Sequence, residues 1–282
     1  MYGGHEAKFY YVGEAVYGTT PVAPDFLGIE NVESVEPSVD PGLIKVRGIG
    51  SRDLAVIKAG LQKAGLKMVC VVPSEDVLNY MAYISTLYPY TVEIVYDKDG
   101  TYVILRYTGC RSDKLTVKCS VEDVVKATYD IIAQQLVPVD AKIEDATYSD
   151  FEGAIPFSEA TVLKGAAGGT SLVEMDALTD WEFSIENNLK RVPVIRSVDS
   201  TLLKYLQERQ RTLSGVLTLD FENKTQFYEA VNDSEFSLKF MMGAKYVLFT
   251  YCKWDSIGTP TKIEDLVSVK APFTARLVEF SP

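Results

Sequence analysis

Apolar and polar residues alternate along GVLTLDF at 215–221, with Leu217, Leu219 and Phe221 on one side and Val216, Thr218 and Asp220 on the other. That two-residue period marks a half-buried strand. At 223–232 the period changes: Phe227, Tyr228 and Val231 fall at helical spacing and predict a short amphipathic helix. Two β-rich runs follow, 235–242 and 246–254, joined across Gly243 and Ala244 as a hairpin, and a last strand covers 266–280.

The same succession occurs earlier in the chain. A strand at 66–72 precedes a helix at 74–84 that Ser74 opens as N-cap. Paired strands at 91–96 and 101–108 flank the turn from Asp97 to Gly100, and a strand covers 124–137. Local propensity opposes that last assignment, because EDVVKATYDIIAQQL at 122–136 holds helix-tolerant residues and no breaker. Its counterpart carries Pro272 at its centre, and proline inside a helix costs about 3 kcal/mol. Both segments are therefore read as strands. Residues 52–63 place Leu54, Ile57 and Leu61 at helical spacing, as 201–210 does, and a short helix or a long loop fits both. Residues 138–179, with Gly165 to Gly169 and little periodicity, are too long for an ordinary connection of up to about 15 residues. They read as a floppy linker or as an arm that orders on a neighbouring subunit. The first 28 residues, rich in Tyr, Gly and Pro, pose the same choice.

Direct repetition supports the parallel between the halves. TYVILRYTGC at 101–110 matches KYVLFTYCKW at 245–254, so that Tyr102 and Tyr246 stand 144 positions apart. YTVEIVY at 90–96 matches FSLKFMM at 236–242, Arg47 to Ser51 matches Arg196 to Ser200, and Val121 to Val125 matches Ile263 to Val267. The tripeptide Ile29 to Asn31 recurs as Ile185 to Asn187. The five offsets shrink steadily from 156 to 142 along the chain, as small changes in loop length would cause. The expectation is a mainly β protein with few short helices: two tandem β-sandwich or barrel domains related by internal duplication. Residues 1–137 form the first domain with an N-terminal arm, 138–180 the linker or arm, and 181–282 the second domain.

Composition narrows the function. The 282 residues include Lys+Arg 28 against Asp+Glu 39, a net charge of −11, with 47% hydrophobic residues. This is the composition of a folded domain, and its acidity argues against a dedicated nucleic-acid binder, which needs clustered lysine and arginine. No apolar run approaches the ~20 residues of a membrane span, so no membrane anchor is expected. The start lacks the basic and apolar regions of a secretory signal, which keeps the chain in the compartment where it is made. Four cysteines without paired spacing and one histidine, His5, predict reduced thiols, no metal site and no cofactor. No catalytic triad can be assembled around His5, and no phosphate-binding loop is present. Glu122-Asp123 and Glu264-Asp265 recur at matched positions, but neighbours in a strand point to opposite faces and cannot converge on one substrate. A duplicated, acidic β protein without a catalytic constellation reads as a building block, not an enzyme. Ring closure would remove exposed sheet edges.

Three stretches carry a family resemblance. Gly13 to Pro21 followed by Ala23 to Phe26, the strand and helix step that opens at Leu213 to Phe221, and Asp265 to Ala275 resemble the tail tube proteins of long-tailed phages and tailed archaeal viruses. The resemblance is strongest over 181–282. It implies a sandwich or barrel-like domain with one flanking helix, whose strands join those of neighbours in a tube wall. Members with one domain form hexameric rings, and those with two form trimeric rings of pseudo-sixfold symmetry. It further implies a virion location after assembly in the host cytoplasm, stacking of rings into a tube, and contact with tape measure, terminator and baseplate proteins. DNA would pass through without specific binding, repelled by an acidic bore over a Debye length of ~8–10 Å. Under this reading Glu93, Asp220, Lys239 and Lys270 are candidates for the lumen. Tyr10, Tyr11, Tyr17, Phe26, Phe151 and Phe157 are candidates for arms between subunits. Two alternatives share the composition: a tail terminator or baseplate protein of the same fold, and a ring-shaped DNA-sliding clamp. A clamp needs basic helices at its hole, and the predicted helix at 74–84 carries no basic residue.

Overall fold

Residues 126–133 alternate half-buried and buried along their whole length in the computed structural model, so the segment with helical propensity is a strand. Burial of Ala127, Tyr129, Ile131 and Ala133 in the core outweighs local preference. The structure describes residues 2–29, 31–72, 77–150, 153–222, 224–259 and 267–281. Ser74, Phe151 and residues 263–266 of the matched segments lie outside them.

The first half begins with β1 (Ala7–Gly13), β2 (Asp25–Gly28) and β3 (Val32–Asp40). A hairpin of β4 (Ile44–Arg47) and β5 (Leu54–Lys58) leads to β6 (Lys63–Val71) and α1 (Val77–Thr86). Then come β7 (Tyr90–Lys98), the 20-residue β8 (Thr101–Ser120), β9 (Lys126–Ala133), β10 (Gln135–Val139) and β11 (Thr147–Ser149). The second half has β12 (Val162–Ala166), β13 (Thr170–Glu174) and β14 (Leu178–Glu186). Its own small hairpin, β15 (Lys190–Val192) with β16 (Tyr205–Gln207), precedes β17 (Thr212–Asp220) and α2 (Thr225–Val231). Last come β18 (Phe236–Met242), β19 (Lys245–Trp254), β20 (Ser268–Thr274) and β21 (Leu277–Phe280).

Two layers result. One runs β3-β6-β9-β8-β14-β17-β20, antiparallel throughout, and crosses from one half to the other where β8 pairs with β14. The other layer has two parts: β10-β8-β7-β1-β2, with β11 parallel to β2, and β21-β19-β18-β12-β13. Strand β8 serves both layers, its first half in one and its second half in the other. The inner faces meet in an aromatic core, where Phe183 of one layer lies 4.9 Å from Phe240 and 5.2 Å from Phe249 of the other. Such pairs add to the stabilisation from burying the rings themselves.

Several expectations change. Residues 52–63 hold β5 and the start of β6, not a helix: the extra residue Ala55 opposite Arg47 and Val46 resets the alternation, so Leu54 and Ile57 acquire a helix-like spacing. Residues 138–179 are not structureless, since β11 joins the first half and the hairpin β12–β13 joins the second through β18. Gly168 and Gly169, at φ +86° and +80°, make that hairpin's turn. The N-terminal stretch is likewise drawn into the sandwich, with β1 in register against β7. The strand expected at 101–108 continues to Ser120; the one expected at 124–137 breaks at Gln134 into β9 and β10, which join different layers, and the one expected at 266–280 divides into β20 and β21.

Candidate functional site: a polar sheet face

From β6 to β20 the seven-stranded layer buries one face and presents the other to solvent, while β3 at its end has no buried residue on either face. Alternation dictates which residues lie there: Lys67 between Leu66 and Met68, Thr116 between Leu115 and Val117, Glu182 between Trp181 and Phe183. The register aligns these exposed residues in rows across the strands. One row reads Glu36, Lys67, Asp130, Lys114, Glu186, alternating in sign from β3 to β14. The next is a row of hydroxyls, with Thr128, Thr116, Ser184 and Ser214 side by side. Lys114 and Glu186 make an ion pair across the junction of the two halves, and Lys126 lies 3.0 Å from Glu33. Lys114 and Lys126 are thus paired with carboxylates, Lys118 lies between Lys126 and Glu182, and Lys270 lies opposite Thr218.

Asp220 and Lys270 belong to this face, Lys270 opposite Thr218 and Asp220 opposite Ser268. Lys239 and Glu93 sit in the other layer. Lys239 places Nζ 3.8 Å from the centre of the Tyr246 ring. Glu93 has no exposed surface; its carboxylate accepts from Arg106 at 2.5 Å and from the Tyr148 hydroxyl at 3.0 Å. It cannot present its charge to solvent, because the sandwich closes over it and the pair holds β11 against β7 and β8. Burial, followed by the Glu93 charge, raises the Tyr148 hydroxyl above its usual range.

Of the arm candidates, Tyr10, Tyr11 and Phe26 are interior residues of their own chain. Phe26 stacks on Tyr148 at 5.0 Å and Tyr10 meets it edge-on at 4.8 Å, which explains why these aromatics are present without any neighbour. Tyr17 lies under the Arg111 guanidinium, and Phe157 is exposed in a short 3₁₀ turn. Phe151 lies outside the described residues.

Sequence reasoning missed Glu14. Its buried carboxylate accepts from the backbone N–H groups of Gly18 and Gly109 at 2.7 and 2.8 Å and from the Thr91 hydroxyl at 2.8 Å. It fixes the bend in β8 from within, a role no spacing could reveal. The cysteines are all free and buried; burial pushes Cys70 and Cys252 up to about 12 and Cys119 to about 11, so they are protonated thiols. Among the described residues no group of three or more His, Cys, Asp or Glu side chains could hold a metal, and no helix is long and apolar enough to cross a membrane.

The described residues form a β-sandwich with one solvated, polar sheet face. The sequence model of the phage tail tube protein family matches residues 4–276, and the chain belongs to that family. It is a structural protein of the virion tail. Among solved structures it is similar to a chain of the virion of a native gene transfer agent particle, at 9% identity and a TM-score of 0.36, covering 44% of this chain and 97% of that one. No curated protein matches.

Proposed function

We propose that this chain is the major tail tube subunit, and that three copies close into a ring whose polar seven-stranded faces line a channel for the genome. The observation that carries the reading is the passage of one sheet through both halves by the β8–β14 pairing, with an edge left at each end. Among the described residues no strand pairs with the outer edge of β3, and beyond Trp254 the opposite end holds a single bridge, Gly258 to Lys270. Unpaired edges invite strand addition, and cyclic closure satisfies both at once. The two halves are read as copies of one unit, so three chains supply six. Rings stacked on one another would form the tube and meet the other tail proteins at its ends.

The polar face suits passage of DNA. Its lysines stand next to carboxylates and hydroxyls, so few phosphates could be neutralised, and retention of a polyanion scales with the number neutralised. Negative-stain microscopy of the concentrated protein tests the reading. Long hollow filaments are expected. Isolated rings that never stack would point to a terminator or a sliding clamp, and a persistent monomer would overturn the proposal.

A further inference from the structure

The two halves keep one pairing plan at fixed displacements. Arg111 pairs with Ile132 and Ser112 with Ile131; Lys253 pairs with Thr274 and Trp254 with Phe273, a displacement of 142 on both strands. The bridge of Gly258 to Lys270 repeats Thr116 with Thr128 at the same displacement. The β3–β6 pairing, with its irregularity between Val32 and Ser34, recurs in β14–β17 between Leu178 and Asp180. Even the small hairpins agree: Ile44 with Lys58 and Val46 with Val56 correspond to Lys190 with Gln207 and Val192 with Tyr205.

Equivalent positions nevertheless differ in burial. In the second hairpin Leu203 and Leu206 are 0% and 1% exposed; their equivalents in the first, Leu54 and Ile57, are 37% and 55% exposed. The second hairpin is seated on the first half of its own chain. Arg111 Nη1 donates to the Leu206 carbonyl at 2.9 Å and Gln134 Nε2 to the Leu203 carbonyl at 2.7 Å. The neighbouring β14 pairs with 114–120 of β8, and the Leu189 N–H donates to Asp113 Oδ1 at 2.7 Å. Among the described residues the first hairpin and β3 have no such seat, yet the chain holds the matching surface. Displacing Arg111, Gln134 and Asp113 by 142 gives Lys253, Arg276 and Asp255, the same donor and acceptor chemistry beside residues 256–258, which bridge to Lys270 at Gly258 and, among the described residues, pair with no strand on their other side.

We propose that a second copy of this chain occupies that edge in the β8–β14 register, with its Asp40 opposite Ser256, its Val39 opposite Ile257 and its Ser38 opposite Gly258. Ile57 of the incoming copy lies toward Lys253 and its Leu54 toward Arg276, as Leu206 and Leu203 lie toward Arg111 and Gln134. Val39, 47% exposed in the single chain, is covered by Ile257. One template bond is lost, because Asn187, whose N–H donates to the Asp113 carbonyl, is replaced by Pro41. The contact rests on the ring reading above but fixes what that reading leaves open, namely which residues meet.

Engineered cysteines test it, since the native thiols are buried. Residues opposed in an antiparallel pair have Cα atoms about 4.5–5.5 Å apart, within disulfide reach. Asp40→Cys with Ser256→Cys, treated with diamide, should give a ladder on non-reducing gels that ends at the trimer. Ser34→Cys with Ser256→Cys, displaced by about 20 Å along the strand, should remain uncrosslinked. Rings seen by microscopy without the in-register crosslink would overturn the contact and leave the ring reading intact; absence of both overturns the two together. As a second measurement, Ile57→Asp should abolish ring formation with Tm within about 2 °C of wild type, whereas Leu206→Asp should lower Tm by on the order of 10 °C. Ring formation by Ile57→Asp at the wild-type level would also overturn the contact.

Discussion

Gly109 and Tyr251 hold the same bend. Each has left-handed backbone, at φ +61° and +55°, and each precedes a buried cysteine, Cys110 and Cys252. Here β8 and β19 leave one layer and enter the other, and the pairing register slips by a residue against β7 and β18. Glycine takes this conformation without strain, while any other residue loses about 1–2 kcal/mol there.

A side chain at position 109 should therefore be costly twice over. A Cβ would lie 2.7 Å from Cβ of Gln134 and 3.1 Å from the Tyr17 ring, in addition to the backbone strain. Gly109→Ala is expected to lower unfolding free energy by about 2–4 kcal/mol in urea titrations.

The Glu93–Arg106 pair makes a different prediction. Arg106→Met leaves a buried carboxylate whose remaining partner is the Tyr148 hydroxyl. Breaking such a pair costs about 3–5 kcal/mol, whereas replacing both members by apolar residues of similar volume is close to neutral. Equilibrium unfolding of Arg106→Met and of the double variant Glu93→Leu with Arg106→Met should show that contrast, with most of the lost stability recovered in the second.

The thiols predict an alkaline limit. Burial raises Cys70 and Cys252 from 9.0 to about 12, so the folded state retains protons that the unfolded chain releases. The stabilisation is complete below pH 9 and is lost as pH rises from 9 toward 12. Urea midpoints should fall between pH 8 and pH 10. At pH 8 a thiol reagent such as DTNB should leave the native protein unlabelled and label four thiols per chain after unfolding.

Much of this was legible from the chain. Strand alternation holds from 215 to 220, although Phe221 is exposed beyond the strand end. The hairpin turn lies at Gly243, helices cover 77–86 and 225–231 within or close to the expected ranges, and the chain is mainly β. What escaped depends on partners distant in sequence. Ala55 disguises β5 because a bulge shifts parity, and Tyr10 and Phe26 look like an arm until Tyr148, more than 120 residues away, is placed between them. The match of Ile29 to Asn31 with Ile185 to Asn187 has no counterpart in the pairing, where Ile185 takes on β14 the place of Val39 on β3. Of the four lumen candidates, only Asp220 and Lys270 share the polar face, since alternation gives faces within a strand but not which layer a strand joins.

The balance of charge on that face is open to direct change. Asp180→Lys, Glu182→Lys and Asp220→Lys together add six positive units per chain to exposed positions and should leave stability and assembly near wild type. Filaments of this variant should retain DNA in a pull-down at 50 mM salt and release it as salt rises, with wild-type filaments retaining little.

The central claim is that three chains close one continuous sheet around a channel. Cryo-microscopy of assembled filaments tests it most directly. The account predicts rings of three chains, sixfold in outline, with Thr116, Ser184 and Lys270 facing the bore and β3 of each chain against residues 256–258 of the next. Six chains in a ring, or a bore lined by the β7 and β18 layer instead, would contradict it.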